Sequence, residues 1–90
     1  MKSPLGYAFR GHIIPVATAD GLLLYVEHHV CPGSFLSAVL CNDLQKALAH
    51  GDDENIEALH AIVAWLYNEA EPGSSWGSPE KFNAWLELSS

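Results

Sequence analysis

The stretch that decides the fold runs from Ser34 to Ala70: SFLSAVLCNDLQKALAHGDDENIEALHAIVAWLYNEA. Leu36, Leu40, Leu44 and Ala47 recur every three to four positions, with Val39 and Leu48 on the flanks of the same stripe. Beyond Gly51, a second stripe follows through Ile56, Leu59, Ile62, Val63 and Leu66. That spacing is the period of an α-helix that buries one side. Gly51 ends the first helix of the pair, and Asp52 caps the next, with Asp53 and Glu54 complementing its positive end. The reading gives helices over 34–50 and 52–70, and a short connection makes them an antiparallel hairpin.

Working outward, Thr18 can cap a preceding helix that runs to about Val30, where Pro32 and Gly33 stop it, and Ser34 caps the helix that follows. On the other side, Pro72 and Gly73 close the 52–70 helix. Ser78-Pro79-Glu80 opens a fourth, with proline at the first helical position, where its missing N–H costs nothing. Phe82, Trp85 and Leu86 give that helix an apolar face. No segment alternates in the two-residue period of a strand. The expectation is an all-α chain: a four-helix domain over 18–90 around a central helical hairpin. An irregular N-terminal arm over 1–17 precedes it. Tyr7, Phe9, Ile13 and Ile14 are too apolar for a free tail, while Gly6, Gly11 and Pro15 disfavour a helix. The arm is therefore held by its own domain or by a second subunit.

Ninety residues make one small domain, and 49% hydrophobic residues suffice for a packed core. The net charge of −7 is unevenly placed. Residues 1–51 balance Lys2, Arg10 and Lys46 against Asp20, Glu27 and Asp43, whereas residues 52–90 set eight carboxylates against Lys81 alone. Direct nucleic-acid binding needs clustered Lys and Arg and is not expected. An acidic surface selects basic partners, or simply solvates a helix face. The apolar run from Ile13 to Val26 is broken by Pro15, Asp20 and Gly21, too short and interrupted for a membrane span. No signal-peptide pattern follows Lys2. Cys31 and Cys41 lie too far apart along the expected helix to bridge, so two reduced thiols and a cytoplasmic location are expected.

The chemistry-bearing residues form no recognisable catalytic or metal motif. His28, His29 and Cys31 cluster at one helix end, but consecutive helical residues point about 100° apart and no second Cys/His pair completes a metal site. Glu57 and His60 have the spacing of carboxylate-bridged metal bundles in a single copy only. Ser34 lacks the strand and G-x-S-x-G context of a nucleophile elbow. Asp43, half-buried at the edge of the apolar stripe near His50, is read as bonding a nearby backbone or tryptophan N–H. Ser34, Asp43 and Ser78 are thus structural polar residues, and no cofactor is expected.

The aromatic residues carry more information. Trp65 lies about 100° from the centre of its helix's stripe. Trp76 sits in the 73–78 loop, and Leu24 faces away from the apolar side of the first helix. Such residues suit a subunit or partner contact, unless the arm or the Trp76 loop covers them. An alternative is a sponge for a small signalling nucleotide. There Tyr25, Asn42, Trp65 or Trp76 would stack on or hydrogen-bond the base. Glu57 completes the set of candidate contact residues.

Several segments together resemble one family. They are Gly21-Leu22, Tyr25-Val26-Glu27-His28, Pro32-Gly33-Ser34-Phe35-Leu36, Ala38-Val39-Leu40 and Asn42-Asp43-Leu44 in the first half. In the second half they are Asp52-Asp53-Glu54-Asn55, Ile62-Val63, Leu66-Tyr67-Asn68-Glu69 and Trp76-Gly77-Ser78-Pro79-Glu80. The chain from Ile14 to Leu86 resembles small proteins encoded by tailed bacteriophages and prophages. Two positions depart from the pattern: His29 stands where glycine is common, and Glu71 separates Ala70 from Pro72. The resemblance implies a non-enzymatic accessory protein in the bacterial host cytoplasm. Such a protein would bind a host protein, redirecting it or blocking a defence system. The homodimer or higher homo-oligomer is an expectation from Leu24 and Trp65 and not from the resemblance.

Overall fold

The computed structural model describes residues 2–70 and 72–88. A small hairpin, β1 (Ala8–Phe9) and β2 (His12–Ile13), leads into α1 (Val16–His28), α2 (Ser34–Leu40), α3 (Leu44–His50), α4 (Asp53–Glu57), α5 (Leu59–Asn68), a single 3-10 turn at Gly73–Ser75, and α6 (Pro79–Glu87). The chain is mostly helical, as its periodicity predicts. Six helices stand among the described residues where four are expected, because two of the four are interrupted.

The first interruption matters most. The expected helix over 34–50 stops at Leu40. Asn42 turns left-handed (φ 62°), its N–H bonding to the Val39 carbonyl at 3.0 Å and the Asp43 N–H to the Ala38 carbonyl at 2.8 Å. This is a left-handed helix end with asparagine in the place glycine usually takes. Asp43 then starts α3 afresh, its carboxylate accepting from the Lys46 N–H at 3.1 Å. Asn and Asp side chains compete with the helix for backbone hydrogen bonds, so adjacent to each other they end one helix and begin the next. The second interruption is slight. Asp52 caps α4 as expected, accepting from the Asn55 N–H at 2.8 Å, and Ala58 (φ −89°, ψ 2°) is the single residue between α4 and α5.

Other helix ends confirm or shift the reading. Ser78 caps α6 by accepting from the Lys81 N–H at 3.1 Å, with Pro79 first in the helix. Ser34 does not cap α2: Gly33 holds that place, and Ser34 is already helical with no side-chain cap bond. Thr18 does not cap α1 either, because Pro15 permits the helix to begin at Val16. Thr18 is instead buried within α1, where its hydroxyl donates to Asn55 Oδ1. α1 ends at His29, left-handed at φ 57°, with the His29 and Val30 N–H groups bonded to the Tyr25 and Leu24 carbonyls. The position where the resemblance sets glycine is thus one where an L-residue is strained. The His29 ring offsets this: Nδ1 lies 2.9 Å from the Trp85 carbonyl oxygen and the rings are 4.3 Å apart. Glu71, the other departure, lies outside the described residues.

The arm is ordered into the β-hairpin, which the sequence reading does not anticipate. Arg10 (φ 52°) and Gly11 (φ 83°) form the two-residue turn, both left-handed, the twist a tight hairpin favours. It packs on its own domain. Ile14 is buried, Phe9 meets the His60 ring edge-on at 4.7 Å, and the Lys2 carbonyl accepts from Trp65 Nε1 at 2.8 Å.

The core gathers Leu22, Tyr25, Leu36, Leu40, Ile62, Trp65, Leu66 and Phe82. Tyr25 stacks on Phe82 at 5.5 Å and its hydroxyl donates to the Ser75 carbonyl at 2.6 Å. Trp85 Nε1 donates to the Tyr25 carbonyl at 2.8 Å. These two bonds tie α1 to the 3-10 turn and α6, so the C-terminal helix is fixed by polar contacts as well as apolar ones.

Candidate functional site: an apolar face between α3 and α5

The redirection at Asn42-Asp43 decides which apolar residues reach the core. Had the helix continued, Leu44 and Leu48 would have extended the buried stripe of Leu36 and Leu40. Restarted at Asp43, α3 buries Ala47 and leaves Leu44 62% and Leu48 about half exposed. On α5, Leu59, Val63 and Tyr67 follow one another at four-residue steps and so share one side of the helix. Leu59 is half-buried, Val63 partly exposed and Tyr67 82% exposed. Leu44, Ala47, Leu59 and Val63, with Val39, Asn42 and Asp43, line one shallow depression of about 60 Å³. At ~30 Å³ per water in the liquid, it has room for the tip of a single aliphatic side chain. Apolar side chains on both helices thus converge on one depression.

The residues singled out from the sequence fare differently. Leu24 is exposed, as expected, and so is Glu57. Trp76 is half-buried against the core, and Asn42 is exposed in its left-handed turn. Trp65 is fully buried, so of its two readings cover by the arm holds and partner contact does not: the arm supplies the acceptor for its indole N–H. Tyr25 is also fully buried, its hydroxyl spent on the Ser75 carbonyl. Neither ring has a face on which a base could stack, which removes two of the four residues the nucleotide reading relies on. Asp43 accepts from a backbone N–H, that of Lys46 in its own helix, and so does not tie two helices together. The sequence pattern places Leu44, Leu48, Leu59 and Val63 of this face in the core stripes and gives no signal for Tyr67. The signal that could have found them is the Asn42-Asp43 pair, a stop followed by a start within an otherwise continuous pattern.

Polar groups elsewhere line two open clefts. An open cleft of about 480 Å³ beside α1 and the start of α2 is lined by Thr18, Ser34, His50 and Asn55 among apolar neighbours. Thr18 and Asn55 are bonded to each other, leaving Ser34 and His50. Cys41, Asp43 and His50 line an adjoining cleft, where burial and then the Asp43 carboxylate push the Cys41 thiol upward, away from the thiolate a nucleophile needs. Among the described residues no group of three or more His, Cys, Asp or Glu side chains is placed to hold a metal ion. No helix of the described residues is long and apolar enough to cross a membrane.

Comparison of the chain with protein-family models, with curated proteins and with solved structures returns no match. The likeness to phage-encoded proteins therefore rests on the segments quoted above.

Proposed function

We propose that this chain is a non-enzymatic binding protein that engages a partner protein through the apolar face of α3 and α5. The observation that carries the reading is the contiguity of Leu44, Leu59 and Val63 around one depression, with Leu48 and Tyr67 one turn further along their helices. Isolated exposed apolar side chains are ordinary, whereas a contiguous patch centred on a small depression is the arrangement protein interfaces use. In line with the phage resemblance, the partner is a protein of the bacterial host, met in its cytoplasm, and the chain acts as an accessory factor in counter-defence or host takeover. The two free cysteines are in keeping with that compartment.

The test is affinity capture from bacterial lysate at low and moderate salt with three forms of the protein. These are the wild type, the face variant Leu44→Gln/Tyr67→Gln, and Leu24→Gln as an exposed-leucine control. The expected result is a host protein held by the wild type and the control and lost by the face variant. Recovery of nothing above background, or equal recovery by all three, contradicts the reading.

A further inference from the structure

We infer that the α3–α5 face receives a single cationic amphipathic helix of its partner, rather than a second copy of this chain. The inference rests on the binding reading above and adds the chemistry of the occupant.

Two observations lead there. The first is size. The walls are helices of seven and ten residues, about 10 and 15 Å long at ~1.5 Å per residue. With each helix ~10 Å wide, the face covers roughly 300 Å². A stable dimer buries about 800 Å² on each partner, so this face is too small to hold two copies together. It matches the footprint of one helix laid into a groove, where residues at i, i+3, i+4 and i+7 make the contact. The depression between Leu44, Ala47, Leu59 and Val63 would take the central aliphatic side chain.

The second is charge. Of the carboxylates between residues 43 and 69, Asp43 begins α3 and Glu57 stands exposed two residues before Leu59, whereas Glu69 accepts from the Lys2 N–H on the arm side and Glu54 borders the start of α1. Lys46 is the one basic side chain other than histidine in that stretch. Asp43 itself lines the depression, and Lys46 Nζ lies 4.0 Å from its carboxylate. The whole chain holds −7, and at a screening length of ~8–10 Å the carboxylates that act on a docked helix are those bordering the face itself. Two copies meeting here would bring like charges together. A segment with Lys or Arg flanking its apolar stripe meets the opposite sign, and complementary charge favours encounter and excludes wrong partners.

The test uses the full chain and labelled helix-forming peptides of about 14 residues, roughly four helical turns. One carries leucines at i, i+3, i+4 and i+7 with lysines on its polar side; the other has the same leucines with every lysine changed to glutamate. Fluorescence anisotropy reads binding, and sedimentation of the protein alone reads self-association. The cationic peptide is expected to bind saturably, at least ~10-fold more tightly than its charge-reversed form and more weakly as salt rises from ~0.1 to ~0.5 M. The Leu44→Gln/Tyr67→Gln variant, shown folded by circular dichroism, is expected to lose that binding. Equal affinity for both peptides, no binding of either, or binding that survives in the variant overturns the inference. So does a dimer that the variant dissolves. If the lysate capture depends on the face while the cationic peptide fails, the partner's class is wrong and the binding function stands. If the capture fails as well, both fall.

Discussion

Helix α5 presents two apolar sides of opposite fate. Trp65 lies about 200° around the helix from both Val63 and Tyr67. Its ring is wholly buried, beneath an arm whose Lys2 carbonyl accepts the indole N–H. Tyr67, two residues on, is 82% exposed, and Val63 borders a depression open to solvent. Both sides are comparably apolar in sequence. What separates them is the neighbour: the hairpin arm folds over one side, whereas α3, turned at Asn42-Asp43, stops short of covering the other. One side carries stability; the other stands bare, and it is the side we propose for partner contact.

The largest effect should come from emptying the covered side. Trp65→Ala removes a fully buried indole and leaves the Lys2 carbonyl without its donor, and should cost about 3–5 kcal/mol in urea unfolding. Tyr67→Ala, on the bare side of the same helix, should change stability by no more than about 0.5 kcal/mol. A similar cost at both positions would erase the distinction.

The placement of α3 can be challenged at its far end. A Cβ at Gly51 would lie 2.8 Å from the Phe35 ring and 2.7 Å from Ile56 Cδ1. Gly51→Ala should therefore destabilise by about 1–3 kcal/mol through overpacking. If it is neutral, the end of α3 is not pinned against α2, and the account of why Leu44 and Leu48 stay outside weakens.

How much of this was legible in the sequence follows from which signals were local. Caps at Asp52 and Ser78 and proline at position 79 belong to short windows and appear where the sequence reading puts them, whereas of the apolar stripes Leu36, Leu40, Ala47, Ile62 and Leu66 are buried and Leu44, Leu48 and Val63 are not. A single helix over 34–50 is predicted where two stand, because a three-to-four-residue period persists through Asn42-Asp43 and outweighs a two-residue break when neighbours are not known. For Trp65 the sequence leaves partner contact and cover by the arm both open, and for Tyr25 it does not show the burial at all, for a different reason. Their burial depends on the arm and on the Ser75 turn, which are 63 and 50 residues away in the chain. The arm's hairpin was missed because its strands are two residues long, and its turn places arginine where glycine or asparagine is usual.

Two smaller changes probe the polar anchors of the covered side. Tyr25→Phe leaves the Ser75 carbonyl without its 2.6 Å donor and should cost about 1–2 kcal/mol at neutral pH. Burial pushes the Tyr25 phenol above its ordinary range, so the folded state favours the protonated form. The stability this contributes is complete below the unfolded tyrosine value near 10 and declines as pH rises past it. The wild type should lose stability above about pH 10, and Tyr25→Phe should lose less over the same range. The Ser75 hydroxyl is buried with no hydrogen-bond partner among the described residues. Replacing it in Ser75→Ala should raise stability by up to about 1 kcal/mol, readable as a shift in the urea midpoint.

The central claim is that the α3–α5 face contributes little to folding and is free for a partner. Urea unfolding of Leu44→Gln/Tyr67→Gln beside the wild type tests it most directly. The account predicts unfolding free energies within about 1 kcal/mol of each other, with unchanged dependence on denaturant. A loss of about 3 kcal/mol or more, the cost of emptying a core, would show that these side chains are buried in the folded protein and that there is no bare face.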